Sequence, residues 1–357
     1  MGCGQSAPVD HEAVARNAAI EKSLAADKDR LRGELKVLFL GAGESGKSTI
    51  LKQFQLAYGR PFTEAERHDY RDVIYDNALR SMQVVIDALD TFGTVIPQTL
   101  TPQIELLMSL GEPPELATPD GELRVDVAKA IAAVWDFAGA KEAVEMSHEF
   151  QLNDSAEYYF TNVARLAQPG YLPSDQDILR SRVKSTGITE LQLNIHGTIY
   201  RMMDVGGQRS ERKKWINVFQ DINVLLFVLA ISEYNQMLYE DESVSRISEA
   251  TTLWSSIANS RWFQNASIIL FLNKIDLFAQ KIKIYRLCDY LPEYEGPNTY
   301  EDGAAFLAQR FTELYTNTNR ALNVHLTCAT DTRQIRTVLA GVQEQILSNN
   351  LLNAGML

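Results

Sequence analysis

Residues 41–48 read GAGESGKS and fit the pattern G-x-x-x-x-G-K-[ST], whose chemistry is the binding of phosphate. The glycines let successive backbone N–H groups point at phosphate oxygens, Lys47 adds a positive charge, and the Ser48 hydroxyl can ligate Mg²⁺. An apolar run precedes the motif and helix-forming residues follow it, so a helix N-terminus adds its partial positive charge. The predicted phosphate-binding residues are Gly43, Glu44, Ser45, Gly46, Lys47, Ser48 and Thr49.

The tetrapeptide NKID at residues 273–276 indicates which base the nucleotide carries. The Asp276 carboxylate can accept hydrogen bonds from guanine N1–H and the exocyclic amine, a donor pair that adenine does not offer. Asn273 can bond the base and the neighbouring loops, and the apolar stem of Lys274 can lie over the ring. In TCAT at 327–330 the backbone of Cys328 and Ala329 can meet the guanine carbonyl from the other side. This combination favours guanine.

A third motif, DVGGQ at residues 204–208, follows another apolar run. Asp204 can hold the Mg²⁺ shell through water, and Gly207 lets its own N–H approach a γ-phosphate without an intervening Cβ. Gln208 has both a donor and an acceptor, as the orientation of an attacking water requires. A plain glycine turn is the alternative interpretation of this stretch.

Two other functions are compatible with parts of this motif set. A kinase that transfers phosphate to a small acceptor would use residues 41–48, but it would leave NKID and DVGGQ without a purpose. A non-catalytic scaffold that only holds GTP or GDP would need no Gln208. The cationic stretch RSRVKSTG at 180–187 is open in the same way, because its residues alone fit either a solvated turn or a phosphate contact.

The motifs require a sheet that brings strand ends together. Apolar runs predict strands before residue 41 and at 189–195, 198–205, 224–231, 267–273 and 324–329. Helical stretches alternate with them, and near-continuous apolar strands in that alternation predict a mostly parallel, doubly wound α/β sheet covered on both faces. The carboxyl ends of such strands share one edge, where ligands bind.

Residues 62–178 interrupt this alternation. No comparable strand is found there, whereas Ile74, Ala78, Met82, Val85 and Leu89 recur at helical spacing, as do Val127, Ile131 and Val134. We therefore expect an all-helical insertion between the first helix and the second strand. Residues 10–32 also suggest a charged helix, with Ile20, Leu24, Leu31 and Leu35 on one face. This face is expected either to dock a partner or to pack on the main domain.

The composition excludes several functions. A net charge of −12 over 357 residues argues against a general nucleic-acid binder, which needs a basic face. Three cysteines without a CxxC pair indicate neither a disulfide framework nor a zinc site and fit a reducing compartment. The longest apolar run is too short to span a bilayer. The opening MGCGQS instead fits acylation, with myristoylation of Gly2 and palmitoylation of Cys3.

Taken together, the chain strongly resembles the alpha subunits of heterotrimeric G proteins, and most of all the inhibitory and fungal types. The resemblance covers essentially the whole length through MGC, FLGAGESGKST, QLNDSA, YLPSDQDILRSRVKSTGI, DVGGQRSERKKW, FLNKIDLF and TCATDT. It implies a Ras-like GTPase domain at 35–61 and 179–357, an inserted helical domain at 62–178, and a lipidated N-terminal helix at 1–34. It also implies a Mg²⁺-dependent GTPase that converts GTP to GDP.

The resemblance assigns further residues. Arg182 matches the arginine that such proteins supply in cis to the transferring phosphoryl group, and Gln208 matches the water-positioning residue of a second switch at 206–216. Ser185 matches the hydroxyl that joins Ser48 in the Mg²⁺ shell when the first switch closes. Leu179 and Arg180 are expected to line the nucleotide cleft, and Asp154 with Ser155 to reach it from the helical domain.

The implied partners are a beta-gamma dimer, a seven-helix receptor, downstream effectors and GTPase-activating regulators. The implied location is the cytoplasmic face of the plasma membrane, through the lipid anchor. Two positions depart from the pattern. Ser185 replaces the usual threonine and lacks the methyl group that restricts χ1, so either Mg²⁺ retention or closure of the switch is expected to be looser. Ala354 replaces the cysteine usual in the inhibitory class, so modification by pertussis toxin is not expected.

Overall fold

A computed structural model describes residues 34–111, 113–317 and 320–353. Its sheet has six strands in the spatial order β2-β3-β1-β4-β5-β6. The strands are β1 Glu34–Leu40, β2 Ile188–Ile195, β3 Thr198–Val205, β4 Val224–Ala230, β5 Ser267–Asn273 and β6 Asn323–Thr327. All neighbours run parallel except the β2–β3 pair, which is antiparallel. The predicted mostly parallel α/β sheet is confirmed.

The position of a strand in the sheet, central or at an edge, matches how many of its residues are apolar. In β4 (VLLFVLA) every residue is buried, as expected for a strand covered on both faces. In β2, at one edge of the sheet, only Leu193 and Ile195 are buried and the polar residues between them face out. An antiparallel edge strand tolerates this alternation because one of its faces meets solvent.

The helices before residue 188 are α1 Lys47–Tyr58, α2 Glu64–Thr91, α3 Thr101–Ser109, α4 Pro113–Leu116, α5 Val125–Asp136, α6 Ala138–Glu145, α7 Ala156–Leu166 and α8 Asp175–Arg180. Those after residue 205 are α9 Arg246–Ala258, α10 Ile275–Lys281, α11 Tyr300–Glu313 and α12 Thr332–Asn353. Short 3₁₀ segments include Arg209–Val218 and Ile231–Glu233.

Two apolar cores cover the two faces of the sheet. On one face, Phe227 of β4 packs edge-on against Trp254 of α9, with ring centroids 5.0 Å apart. On the other face, Phe39 of β1 meets Phe54 of α1 in the same way at 5.9 Å. The sheet is therefore doubly wound, and its C-terminal edge is left for ligand binding.

A third core belongs to the helices between α1 and β2. The α2 positions Ile74, Ala78, Met82, Val85 and Leu89 are buried, and they join Val127, Ile131 and Val134 of α5 in one cluster. The helical periodicity read from the sequence is confirmed. The exact domain limits remain a prediction, and α8 runs across the proposed limit between residues 178 and 179.

One expectation was wrong. Leu35, which was grouped with the N-terminal helical stripe, lies in β1 opposite Tyr200 of β3, and β1 already begins at Glu34. Leu35 can satisfy both patterns because a single apolar residue does not distinguish a helix stripe from a strand. The expected helix at 10–32 lies outside the described residues. Among the residues that the structure does describe, no helix combines the length and apolarity needed to cross a bilayer.

Candidate functional site

A cavity of about 580 Å³ lies at the C-terminal edge of the sheet, where the loops after β1, β3, β5 and β6 meet the helical segment (α2–α8). Every predicted nucleotide or metal residue within the described chain lines it, except Ser45, which is buried within the loop after β1. The lining includes Gly43, Glu44, Gly46, Lys47, Ser48, Thr49, Asp154, Ser155, Leu179, Arg180, Arg182, Ser185, Asp204, Gly207, Gln208, Asn273, Lys274, Asp276, Cys328 and Ala329. Gly2 and Cys3 lie outside the described residues.

The loop after β1 is shaped for a backbone cradle. Gly46 has φ 100°, a left-handed conformation that favours glycine, and a Cβ there would lie 2.2 Å from Asn273 Nδ2. Helix α1 begins immediately afterwards at Lys47, whose Nζ donates to the carbonyls of Gly41 at 3.0 Å and Ala42 at 2.7 Å. Burial lowers the pKa of Lys47 to about 8. A phosphate beside this ammonium would favour its charged form.

Asn273 ties three loops of the cavity together. Its Nδ2 donates to Ser45 O at 2.8 Å, while its Oδ1 accepts from Ala329 N at 3.0 Å and Thr327 Oγ1 at 3.2 Å. The Asn273 amide thus fixes the phosphate-binding loop (residues 41–48) against the loop after β6. Its predicted contacts with neighbouring loops are present, and its contact with a base remains a prediction.

Three oxygen-bearing side chains converge beside Lys47. Ser48 Oγ donates to Asp204 Oδ2 at 2.5 Å and lies 2.9 Å from Ser185 Oγ. Asp204 is buried, burial raises the pKa of its carboxyl, and its Oδ1 has no hydrogen-bond partner. Two hydroxyls and a carboxylate with an unpartnered oxygen are the hard donor set that Mg²⁺ prefers. Within the described ranges no cluster of three acidic, histidine or cysteine residues offers an alternative metal site.

The loop after β3 lies directly against the phosphate loop. A Cβ at Gly207 would lie 2.5 Å from the carbonyl oxygens of Gly41 and Ala42 and from Lys47 Nζ, so only glycine fits there. Gln208 follows, and its Cγ lies 3.3 Å from where a Cβ at Gly43 would be. The Gln208 side chain therefore lies beside the loop that would bind the outer phosphates.

Arg182 also reaches this loop, through an ion pair with Glu44. Glu44 has a second partner, the buried Arg246, whose guanidinium lies 3.0 Å from Glu44 Oε2. Burial alone would raise the pKa of Glu44, but Arg246 and Arg182 outweigh it and hold that pKa below its usual range. The Arg182 side chain is 43% exposed, so it can change partner without leaving a buried charge unpaired.

A second set of ion pairs joins the sheet to the helical segment. Lys274 Nζ lies 2.6 Å from Asp154 Oδ2 and 2.7 Å from Glu233 Oε1. Burial alone would lower the pKa of Lys274, but the two carboxylates raise it above its ordinary value. Nearby, the Arg180 guanidinium lies 4.7 Å from the ring centroid of Tyr158. Thr49 Oγ1 donates to Leu179 O at 3.3 Å, which ties α1 to the end of α8.

The segment between α8 and β2 is fixed at both ends. At its start, the side-chain amide of Asn77 in α2 bonds both backbone groups of Arg182. At its end, Gly187 N donates to Glu211 Oε2 at 3.0 Å, and Gly187 O accepts from Gly206 N at 3.3 Å. Ser185 lies between these two attachments.

Sequence patterns missed three residues of this site. Glu233 and Arg246 complete the charge network, and Asn77 holds Arg182. A charged residue three positions after the buried run of β4 was a signal for Glu233. Asn77 stood as a polar residue within the apolar stripe of α2, next to Ala78.

Comparison with known proteins gives one consistent result. A family model described as "G-protein alpha subunit" matches residues 14–346. The "Guanine nucleotide-binding protein alpha-1 subunit" of Mycosarcoma maydis is 47% identical over an alignment of 358 residues that covers 100% of each chain. A "Guanine nucleotide-binding protein subunit alpha" of Emericella nidulans is 47% identical over 358 residues, and one of Sporothrix schenckii 46% over 359, again over 100% of each chain.

Proposed function

The chain belongs to the G-protein alpha subunit family, and from this premise we propose how its residues hydrolyse GTP and what that hydrolysis controls. Members of the family bind GTP and GDP, hydrolyse GTP and transduce signals, and this chain is such a GTPase. The observation that carries the residue assignments is their convergence on one cavity. A kinase acting on a small acceptor would have no use for the Asp276 and Gln208 that line it.

Binding and hydrolysis use different groups. The N–H groups of residues 43–49 and Lys47 bind the phosphates, and Asp276 with the loop of Cys328 and Ala329 reads guanine. Gln208 orients the attacking water because its side-chain oxygen accepts a hydrogen bond from that water. No protein group needs to form a covalent intermediate, so positioning and electrostatics carry the rate.

Arg182 supplies positive charge to the transferring phosphoryl group. To reach it, the guanidinium must leave Glu44, and that exchange does not leave the Glu44 carboxylate unpaired because Glu44 keeps the ion pair with Arg246. Arginines in this role accelerate hydrolysis by about 10³–10⁵-fold. Arg182 therefore acts mainly on turnover, whereas Lys47 acts mainly on affinity.

The ligand set of Ser48 and Ser185, with Asp204 behind them, fits Mg²⁺. The support is the unpartnered Asp204 Oδ1 and the two converging hydroxyls. When bound, the ion would neutralise charge on the outer phosphate oxygens. The chain's part is to hold the two hydroxyls 2.9 Å apart, which depends on Ser185 staying in the closed segment.

Loss of the γ-phosphate would remove its contacts with Gly207 and Ser185 and so free the two switches, which lie within residues 182–187 and 206–216. This change would exchange effectors and GTPase-activating regulators for a beta-gamma dimer. A seven-helix receptor would restart the cycle by releasing GDP. Support comes from the family membership and from the contact between the two segments, in which Gly206 N donates to Gly187 O at 3.3 Å.

The proposed location is the cytoplasmic face of the plasma membrane. Gly2 and Cys3 would carry two acyl chains, and two chains hold a protein to a bilayer stably where one does not. Fractionation of cells that express Gly2→Ala tests this: the variant is expected in the soluble fraction. If Gly2→Ala stays on membranes, the anchor is wrong.

The experiment that tests the signalling function is GTPγS binding to the full chain, with and without a beta-gamma dimer and candidate receptors. A receptor is expected to accelerate binding, and GDP-bound chain is expected to bind beta-gamma more tightly than GTPγS-bound chain. Equal affinity of beta-gamma for both forms would overturn the proposed switch.

A further inference from the structure

Asn77 bonds both backbone polar groups of the residue that carries the proposed catalytic guanidinium. Its Nδ2 donates to Arg182 O at 3.0 Å, and its Oδ1 accepts from Arg182 N at 2.6 Å. The side-chain amide therefore pairs with Arg182 as a backbone amide pairs across two β-strands. Asn77 itself is 9% exposed and lies 105 residues away in sequence, in the middle of α2.

The backbone just before Arg182 is also held. Ser181 is buried and its Oγ donates to Ile178 O at 2.7 Å. Lys52 of α1 donates to Ile178 O at 2.8 Å and to Ser181 Oγ at 3.1 Å. The C-terminal end of α8 is thus capped by Lys52, and the chain leaves it in a fixed direction toward Arg182.

Arg182 itself lies outside regular structure. Helix α8 ends at Arg180 and β2 begins at Ile188, so neither a helix nor a strand ladder bonds its N–H and C=O. The amide of Asn77 takes over that role. The guanidinium end is less constrained. The Arg182 side chain is 43% exposed, and its ion-pair partner Glu44 is shared with Arg246.

Asn77 has no need to be asparagine for the fold of α2. Asparagine is a poor helix former in a helix interior because its side chain competes for backbone groups. The neighbouring Ile74 and Ala78 are fully buried apolar residues, so an apolar side chain would suit the same stripe. Asn77 also does not line the cavity, so it cannot act as a catalytic residue.

We infer that Asn77 is a positioning residue for GTP hydrolysis, which fixes the backbone of Arg182 so that its guanidinium reaches the phosphoryl group. This inference rests on the proposed role of Arg182. It also makes turnover depend on the helical segment, because the residue that aims Arg182 belongs to α2. Misplacement of a catalytic group by about 1 Å can cost on the order of 10²-fold in rate.

The test is a double-mutant cycle in the full chain, using Asn77→Leu, Arg182→Cys and the combination. Arg182→Cys keeps the backbone groups that Asn77 bonds and removes only the guanidinium. The readouts are single-turnover hydrolysis of preloaded GTP and the affinity for GTPγS. Asn162→Leu is the matched control, since Asn162 Nδ2 donates to Tyr158 O at 2.8 Å within its own helix and does not contact Arg182. Asn77→Ala repeats the test with a smaller side chain in case leucine disturbs packing.

Asn77→Leu is expected to slow hydrolysis by about 10- to 100-fold, with GTPγS affinity within about threefold of wild type. In the Arg182→Cys background the same substitution is expected to cost nothing further, because coupled residues are not additive. An unchanged rate in both Asn77 variants, or an equal loss with and without Arg182, would overturn the inference. Wild-type hydrolysis by Arg182→Cys alone would instead refute the role of Arg182, and the inference with it.

Discussion

Lys274 Nζ lies 2.6 Å from Asp154 Oδ2, and this ion pair joins the loop that is proposed to hold guanine to the helical segment. The ammonium also lies 2.7 Å from Glu233 Oε1, so it is shared between the two parts of the molecule. Any separation of the helical segment from the sheet must break the bond to Asp154. Release of a nucleotide from between them is then coupled to this pair.

Asp154→Asn is expected to accelerate GDP dissociation about fivefold, because the Asp154 carboxylate is about one-third exposed and such pairs contribute roughly 1 kcal/mol. Displacement of a fluorescent GDP analogue measures this rate. Asp69→Asn removes a carboxylate from the exposed surface of α2 and serves as the control. An equal dissociation rate in both variants would show that the pair does not restrain release.

Gln208→Leu is expected to bind GTP with nearly wild-type affinity and to hydrolyse it at least about 100-fold more slowly, since leucine cannot orient a water. Single-turnover phosphate release and GTPγS affinity, measured on the same sample, separate the two effects. Gln264→Leu, at an exposed position after a 3₁₀ turn, should leave both unchanged. Wild-type turnover by Gln208→Leu would remove Gln208 from its assigned role.

Ser185→Thr is expected to lower the Mg²⁺ concentration for half-maximal hydrolysis by roughly two- to threefold. The added methyl group restricts χ1 and so reduces the entropy lost when the hydroxyl is fixed. Ser185→Ala is expected to raise that concentration by more than about tenfold, because a ligand is lost. A Mg²⁺ titration of single-turnover hydrolysis compares the three proteins. The metal assignment of Ser185 fails if alanine and serine behave alike.

Asp177→Asn is expected to lower the free energy of unfolding of the helical segment by about 2–3 kcal/mol at pH 7. Asp177 is fully buried and accepts from Arg165 Nη2 at 2.7 Å and from the Tyr158 hydroxyl at 2.7 Å. Urea unfolding monitored by circular dichroism measures the loss. The control is Asp126→Asn, whose carboxylate is 54% exposed beside Arg124 and should contribute less than about 1 kcal/mol.

The effect of Asp177 should also depend on pH. Burial alone would raise the pKa of its carboxyl, but bonds from Arg165 and Tyr158 outweigh it and hold that pKa well below the usual range. A depressed folded-state pKa stabilises the protein above the unfolded pKa of about 3.9, and that contribution falls as the pH drops toward the folded pKa. The difference between wild type and Asp177→Asn should therefore shrink below about pH 4. A constant difference would contradict the linkage.

Much of the fold could be predicted because its signals are local. The fully buried run of β4 predicts a strand, and the apolar stripe from Ile74 to Leu89 predicts a helix, each from residues within one element. Leu35 was misplaced because one apolar residue at a boundary fits two periods. The antiparallel pairing of β2 with β3 was also available from the sequence, because only two residues separate the two predicted strands and parallel neighbours need a much longer connection.

The residues lining the site were predicted because each lies in a motif with a chemical rationale. Their support was not predictable, because it depends on contacts between distant positions. Arg246 meets Glu44 across 202 residues, and Asn77 meets Arg182 across 105. Neither pair has a local pattern. A polar residue in an apolar stripe, such as Asn77, indicates that a hydrogen-bond partner exists, but the sequence does not show which residue that partner is.

The attachment of residues 182–187 at both ends limits what that segment can do. With Arg182 bonded to Asn77 and Gly187 bonded to Gly206 and Glu211, only residues 183–186 can lose order while both attachments hold. Ordering one residue costs roughly 1–2 kcal/mol of backbone entropy, so closing these four costs about 4–8 kcal/mol. Contacts with one phosphate and its metal ion can supply a free energy of this size. Because the free segment is short, its open and closed forms differ little in free energy. The presence or absence of a single phosphoryl group is therefore enough to determine which form is populated.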